Sequence, residues 1–256
     1  MIDAHAVIDP AAELDEGVEV GPFAVIGAGV RIGRGTRIGP HVVIRGQTRI
    51  GCDNRIFQFA SIGEDPQDKK YAGEETFLEI GDRNQIRESA TIHRGTVQDT
   101  GITRIGSDNL LMAYTHVAHD CLIGDHVILA NAASLGGHVH IGDWAILGGF
   151  SMVHQFCRVG DHSFAGMGSA ISKDVPPYFL IGGHPAKPHG INSEGLKRRQ
   201  FSAEQLSTIK KAYKLLYASS LSLAAARDEI TVLAANHPEL QVMVDFLAAS
   251  ERSIVR

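Results

Sequence analysis

Cysteine is scarce, with only Cys52, Cys121 and Cys157 among 256 residues. An odd, widely spaced set excludes a disulfide framework and points to a reducing compartment, so a cytoplasmic location is expected. Positive charge is not in excess either. Lys and Arg number 24 against 29 Asp and Glu, for a net charge of −5, which excludes a global basic field for nucleic acid. No stretch approaches ~18 uninterrupted apolar residues, so no membrane span is expected. Met1-Ile2-Asp3-Ala4-His5 has neither the basic start nor the apolar run of a secretory signal. With 44% hydrophobic and 21% charged residues, the composition is that of a soluble globular protein.

What is present is glycine, 28 residues of it, regularly spaced. Ile2, Ile8, Leu14, Val20, Ile26, Ile32, Ile38, Ile44, Ile50, Ile56 and Ile62 recur every sixth place, often with Gly directly after, as at Gly27, Gly33 and Gly39. The phase resumes at Ile80, Ile86 and Ile92, and again from Ile105 through Leu111, Val117 and Ile123 to Ile171. The fifth place of each hexad is small or medium-sized, as in Val18, Ala24, Val30, Thr36 and Val42. A helical period of 3.6 cannot generate this rhythm, and an amphipathic strand gives period 2 without the glycines. The expected fold is mainly β: a coil of short strands, three hexads to a triangular turn, stacked at ~4.8 Å, with aliphatic and fifth-place residues inside. Glycine and polar residues fall at the corners, where φ > 0 is often needed. The domain expected over residues 1–189 carries insertions at 64–79 and 98–104, and inserted loops on a rigid repeat carry binding or assembly roles. Beyond Val175-Pro176-Pro177 the rhythm stops. Ser202 with Gln205 reads as a capping box, and Leu206, Ile209, Ala212, Tyr213, Leu216 and Tyr217 form a helical stripe. Residues 190–256 are therefore expected to form a C-terminal α-helical appendage, with Asn236-His237-Pro238 between two of its helices.

Histidine carries the chemistry. Hexads starting at Val117, Leu135 and Val153 lie on one face in consecutive coils, and they hold His119, His138 and His154. A stack at one edge is expected, ~5 Å per coil. Gly137 lies one coil above His119 and offers a backbone N–H with no side chain beside it, so a base and an oxyanion donor are neighbours. Asp120 follows His119 and is placed to orient its imidazole. No Ser or Cys stands out as a nucleophile, so direct attack by a substrate hydroxyl on an activated acyl group is expected, without an acyl-enzyme. His5, His41, His126, His140 and His162 read as solvated corner residues, and Cys121 and Cys157, both in fifth places, as core filler. Stacked histidines also suit zinc, which needs three imidazoles converging at ~2.0–2.1 Å; the expected ~5 Å rise fits a hydrogen-bonded chain better, and neither a metal nor another cofactor is expected. Basic runs at Lys69-Lys70, Lys197-Arg198-Arg199 and Lys210-Lys211-Lys214 on an acidic protein suggest specific anions, such as a diphosphate or an acidic carrier protein.

Five segments, Asn54–Gly63, Ile80–Gly95, His116–Asp120, Val153–Cys157 and Glu194–Arg199, resemble the left-handed parallel β-helix acyltransferases of the hexapeptide-repeat family. The left hand comes from this resemblance, since periodicity does not reveal it and crossovers are usually right-handed. Within the family the chain looks like the branch that acylates UDP-N-acetylglucosamine. The resemblance implies transfer of an (R)-3-hydroxyacyl chain from acyl carrier protein to the sugar's 3-hydroxyl, the first step of lipid A synthesis. It also implies a homotrimer with active sites between adjacent subunits. His119 matches the general base, Asp120 its partner and Gly137 the oxyanion donor. Gln67, Asp68 and Lys70 match cleft positions from the first insertion, and His116, His138 and Gln155 match positions along the coils, with His154 beside them. Asn192, Glu194, Arg198 and Arg199 match positions at the start of the appendage. Whether a 3-amino acceptor is used stays open at the level of sequence.

Met167 matches the floor of the acyl groove, where some family members have Gly. It lies 48 residues beyond His119, roughly 2.7 coils or ~13 Å along the axis. At ~1.25 Å per carbon this admits a chain of about ten carbons. Met167→Gly is expected to favour longer donors; equal rates with ten- and fourteen-carbon donors in the unmutated enzyme would refute the ruler. The rivals are an N-acyltransferase of the same pathway, a coenzyme A-dependent acetyltransferase and a non-catalytic β-helix.

Overall fold

The six-residue rhythm folds as short strands that stack in parallel every third hexad. In the computed structural model, which describes residues 1–256, they build three sheets. The first sheet has nine strands, from Val7–Ile8 to Ala170–Ile171, and the second has eight, from Glu13–Leu14 to Arg158–Val159. The third has ten, beginning at Glu19–Val20; its last two, Phe179–Gly182 and Lys187–Ile191, pair antiparallel. The chain visits first, second and third sheet in turn, as a left-handed parallel β-helix with a helical C-terminal part.

Register keeps like over like. Ile26, Ile44, Ile62, Ile92, Val117, Leu135, Val153 and Ile171 form one column through the first sheet. Each such side chain contributes about 1.5–3 kcal/mol of burial, but only because the coils above and below cover it. The fifth-place Val30, Val42, Val127, Ala133 and Val139 are fully buried between the columns, as are Cys121 and Cys157. The buried asparagines form a ladder: the Asn54 side chain accepts from the Asn84 N–H, Asn84 from Asn109, and Asn109 from Val127, at 2.6–2.9 Å.

The corners differ from the expectation in one respect. Most left-handed positions are held by non-glycine residues four places into the hexad, including Phe23, His41, Asp120, His138, Trp144, Phe156 and His162. This conformation turns the N–H toward the coil below: those of His138, Trp144 and Phe150 donate to the corner carbonyls of His119, Asp125 and Asn131 at 2.9–3.0 Å. The hydrogen bond offsets a left-handed penalty of about 1–2 kcal/mol. The glycine after the aliphatic residue serves close stacking instead; a Cβ on Gly33 would lie 2.7 Å from the carbonyl carbon of Gly51.

Partners in the first sheet are 18 residues apart between Ile44 and Ile62 but 30 apart between Ile62 and Ile92, and 25 apart between Ile92 and Val117. The two insertions therefore leave from successive coils. They are shorter than the hexads suggest, because Phe77–Ile80 pairs with Ile102–Ile105 on one side and Gln47–Ile50 on the other. Helices α1 (Ser193–Arg198), α2 (Ala203–Tyr217), α3 (Leu223–Ala234) and α4 (Gln241–Ala249) follow the last strand. Ser202 and Gln205 form the expected capping box at α2. Ile209, Ala212 and Leu216 pack with Phe179, Ile230, Met243 and Ile254 into a second core at the end of the coil.

Candidate active site

The corner between the first and second sheets brings His119, Asp120, Gly137 and His138 together. Asp120 is fully buried; its Oδ2 lies 2.9 Å from His119 Nδ1 and 2.6 Å from Thr96 Oγ1, and its Oδ1 accepts the Thr96 N–H at 2.8 Å. Burial works to raise the Asp120 pKa, yet the bonds from His119 and Thr96 together hold the carboxyl below its usual range. Asp120 therefore stays ionised and fixes a proton on His119 Nδ1, which leaves Nε2 with the lone pair. Gly137 lies against that ring. A Cβ on it would fall 2.5 Å from His119 Cε1 and 2.7 Å from Nε2, so only glycine fits. The Gly137 N–H makes no hydrogen bond, so it is free to donate to an anionic oxygen beside the base. Burial pushes the Cys121 thiol up to about 12 and that of Cys157 up to about 11, so neither is a nucleophile at neutral pH.

His138 meets His119 edge-on, ring centroids 5.1 Å apart. The next ring along is not His154. Phe156 stacks on His138 with centroids 4.3 Å apart and planes 5° apart, while the exposed His154 ring faces the Gln155 carbonyl and Arg252. The register gives the reason. His119, Gly137 and Gln155 share the third place of their hexads, Asp120, His138 and Phe156 the fourth, and His154 only the second. His154 therefore belongs to the neighbouring column. Two residues unforeseen in the sequence complete the corner: Thr96, just before the second insertion, on Asp120, and Asp99, within it, whose Oδ2 lies 2.8 Å from His138 Nδ1. Asp99, inside the insertion, has no hexad place, and Thr96 lies past the strand that ends at His93, so spacing does not locate their contacts.

His116 stands in a strand of the first sheet, 2.7 Å from Thr91 Oγ1, with His93 edge-on at 5.2 Å. Burial, then the nearby His116, His119 and Arg94, push His93 down to about 4; burial and His119 also lower His116. The first insertion departs two coils from His116, at Glu64, which pairs with His93 in the coil between them. Buried Arg94 anchors it, bonding the Gly63 carbonyl, Asp65 and, at 2.9 Å, Tyr71 Oη. Within it Asp68 caps a turn by accepting the Lys70 N–H, and Gln67 and Lys70 are exposed.

The remaining expected residues sit on other corners. Between the second and third sheets His126, Trp144, His162 and Tyr178 form an aromatic ladder. His126 and His162 are thus stacked rather than free in solvent, and His140 lies in a strand. Arg199 lies over Trp144 at 5.5 Å with buried, unpartnered Nε and Nη2. Asn192 caps α1 through the Gly195 N–H and bonds the His162 carbonyl, Glu194 pairs with Lys197 at 2.9 Å, and Arg198 is exposed. Met167, 78% exposed, occupies the third corner with Phe150.

Residues 174–255 match the family Udp N-acetylglucosamine O-acyltransferase, Domain 2, and residues 11–46 and 102–137 match Bacterial transferase hexapeptide (six repeats). The chain is 57% identical over 255 residues to the acyl-(acyl-carrier-protein)–UDP-N-acetylglucosamine O-acyltransferase of Thiobacillus denitrificans, covering 100% of this chain and 99% of that relative. The corresponding protein of Paracidovorax citrulli is 61% identical over 259 residues with the same coverage. Among solved structures, that of LpxA from Acinetobacter baumannii superposes with a TM-score of 0.98 at 51% identity, over 100% of this chain and 99% of the other. UDP-N-acetylglucosamine O-acyltransferase from Moraxella catarrhalis gives 0.98 at 49%, with the same coverage. A polar corner with an oriented imidazole, on a coil and a helical end that both match these proteins throughout, places the chain in one group: it belongs to the acyl-(acyl-carrier-protein)–UDP-N-acetylglucosamine O-acyltransferase family.

Proposed function

We infer that the protein transfers an acyl chain from acyl carrier protein to UDP-N-acetylglucosamine, the first step of lipid A biosynthesis. The observation that carries the mechanism is the His119 ring, held at Nδ1 by buried Asp120 and faced by the unbonded Gly137 N–H. The sugar 3-hydroxyl gives its proton to His119 Nε2 as its oxygen attacks the thioester carbonyl. The resulting oxyanion accepts from the Gly137 N–H. The C–S bond then breaks, and the imidazolium returns the proton to the departing sulfur. No covalent enzyme intermediate is needed, in keeping with the burial of Cys121 and Cys157.

The acting form is a homotrimer in the cytoplasm. Within one copy, His119, Arg199 and Met167 lie on three different corners, so a cleft lined by all three takes them from neighbouring copies. The exposed Phe23, Phe59, Tyr114 and Phe150 along the Met167 corner supply apolar surface for such contacts. Rotation about an axis parallel to the coil leaves heights unchanged. A neighbour's Met167 therefore still lies ~13 Å along the axis from His119, and the ten-carbon chain remains the preferred (R)-3-hydroxyacyl donor. His138, His116, His154 and Gln155 line the acceptor side, with Gln67, Asp68 and Lys70 opposite. Asn192, Glu194, Arg198 and the unpartnered Arg199 guanidinium receive the diphosphate-linked nucleotide. His119→Ala decides the matter: transfer from hydroxydecanoyl carrier protein should fall at least ~10³-fold while sedimentation still reports a trimer. An unchanged rate in that variant would leave a binding or structural β-helix as the better reading.

A further inference from the structure

Asp99 sits in the short second insertion, on no strand and in no hexad, yet it is the carboxylate nearest to His138 Nδ1, at 2.8 Å. The insertion is shaped to bring it there. The Asp99 and Gly101 N–H groups both donate to the Thr96 carbonyl, at 3.2 and 3.0 Å, which tightens the turn. Gly95 lets the chain fold back, since a Cβ there would come within 2.1 Å of the Ile102 nitrogen. The same segment delivers Thr96 to Asp120. The loop thus touches both histidine–carboxylate pairs of the corner.

Phe156 and Asp99 do different things to His138. The stack on Phe156 fixes the plane of the imidazole, but a half-turn of the ring leaves that stack unchanged. Only a group reading one nitrogen distinguishes the two orientations, and which nitrogen holds the proton follows from the same contact. An ionised carboxylate at Nδ1 requires a donor there. His138 Nε2 then faces inward, 3.9 Å from Asp120 Oδ2 and beside the His119 ring. His138 side-chain exposure is only 12%, so few waters compete for that choice.

We propose that Asp99 is a positioning residue of the transfer reaction, selecting the ring orientation and the Nδ1-protonated tautomer of His138 so that Nε2 is presented to the sugar acceptor. This deepens the function proposed above and rests on it. Asp99 touches neither substrate nor base; its whole effect passes through His138.

The test is a double-mutant cycle on the intact trimer with hydroxydecanoyl carrier protein and UDP-N-acetylglucosamine. Asp99→Ala should lower kcat/KM for the sugar nucleotide by about tenfold, with KM for the carrier protein unmoved. In a His138→Gln background the same substitution should cost less than about twofold. Asp99→Glu should restore part of the loss, because the exposed loop has room for one methylene. Nitrogen-15 spectra of ring-labelled histidine should show the His138 Nδ1–H form in the unmutated protein and in Asp99→Glu, and mixed tautomers in Asp99→Ala. Equal losses in both backgrounds, or an unaltered His138 tautomer in Asp99→Ala, would overturn the proposal. If His119→Ala keeps full activity, the functional reading fails first, and the tautomer measurement still decides whether Asp99 sets His138.

Discussion

Two corners of the coil have nearly the same ingredients and very different chemistry. At the first, His119 and His138 are each held by a carboxylate, Asp120 and Asp99. At the second, His126 and His162 lie in a ladder with Trp144 and Tyr178, and the Nδ1 of His162 is buried with no partner. Both corners place rings in the left-handed fourth position at one coil's spacing, so both satisfy the repeat. Burial and then Arg199 push His162 down to about 4, which keeps it neutral and inert. A half-buried histidine stacked between aromatic rings, with no anion at Nδ1, is a stacking unit; one with an anion at Nδ1 has a defined tautomer and a usable Nε2.

The largest test of that contrast removes the anion from the first corner. Asp120→Asn keeps the shape of the side chain and its contacts with Thr96, but its amide no longer dictates a proton on His119 Nδ1. The rate should fall by about 10³–10⁴, as when a triad aspartate becomes asparagine, with affinity for UDP-N-acetylglucosamine changed far less. Steady-state kinetics beside equilibrium binding would separate the two. A loss below tenfold would mean that His119 acquires its tautomer without Asp120, and the contrast between the corners would collapse.

The ease of reading the sequence follows the same divide. Wherever a residue has a hexad place, spacing alone puts it within one coil of its neighbours. Val117 over Leu135, Gly137 over His119 and the buried fifth-place Cys121 were legible for that reason. The capping box at Ser202 was legible because it is local. Asp99 was not, since an insertion restarts the count, nor were the contacts of Thr96 just before it, since the path of this segment depends on contacts such as Gly95 against Ile102. His154 was misjudged by one place: hexads in register do not put every residue of a hexad on the same line. The left-handed corners, expected for glycine and polar residues, also hold Phe and Trp, because an N–H bond to the coil below, invisible in spacing, keeps them in that conformation.

A smaller effect is expected at the second corner, and it concerns stability rather than rate. In the unfolded chain His162 protonates near 6.5, whereas in the fold it does so at about 4. Between those values the unfolded state binds more protons, so stability is full above pH 6.5 and is lost as pH falls toward 4. His93, also about 4, contributes in the same direction. His162→Phe keeps the stack on Trp144 and Tyr178 and removes one of these titrations. Because His162 is partly open to solvent, the difference at pH 5 should be roughly 1 kcal/mol, or about 2–4 °C in a thermal midpoint for a chain of this size. The variant should therefore gain relative stability at pH 5 over pH 8, compared with the unmutated protein. If His162→Phe left the pH dependence of unfolding untouched, the neutral, stacking character assigned to the second corner would lose its support.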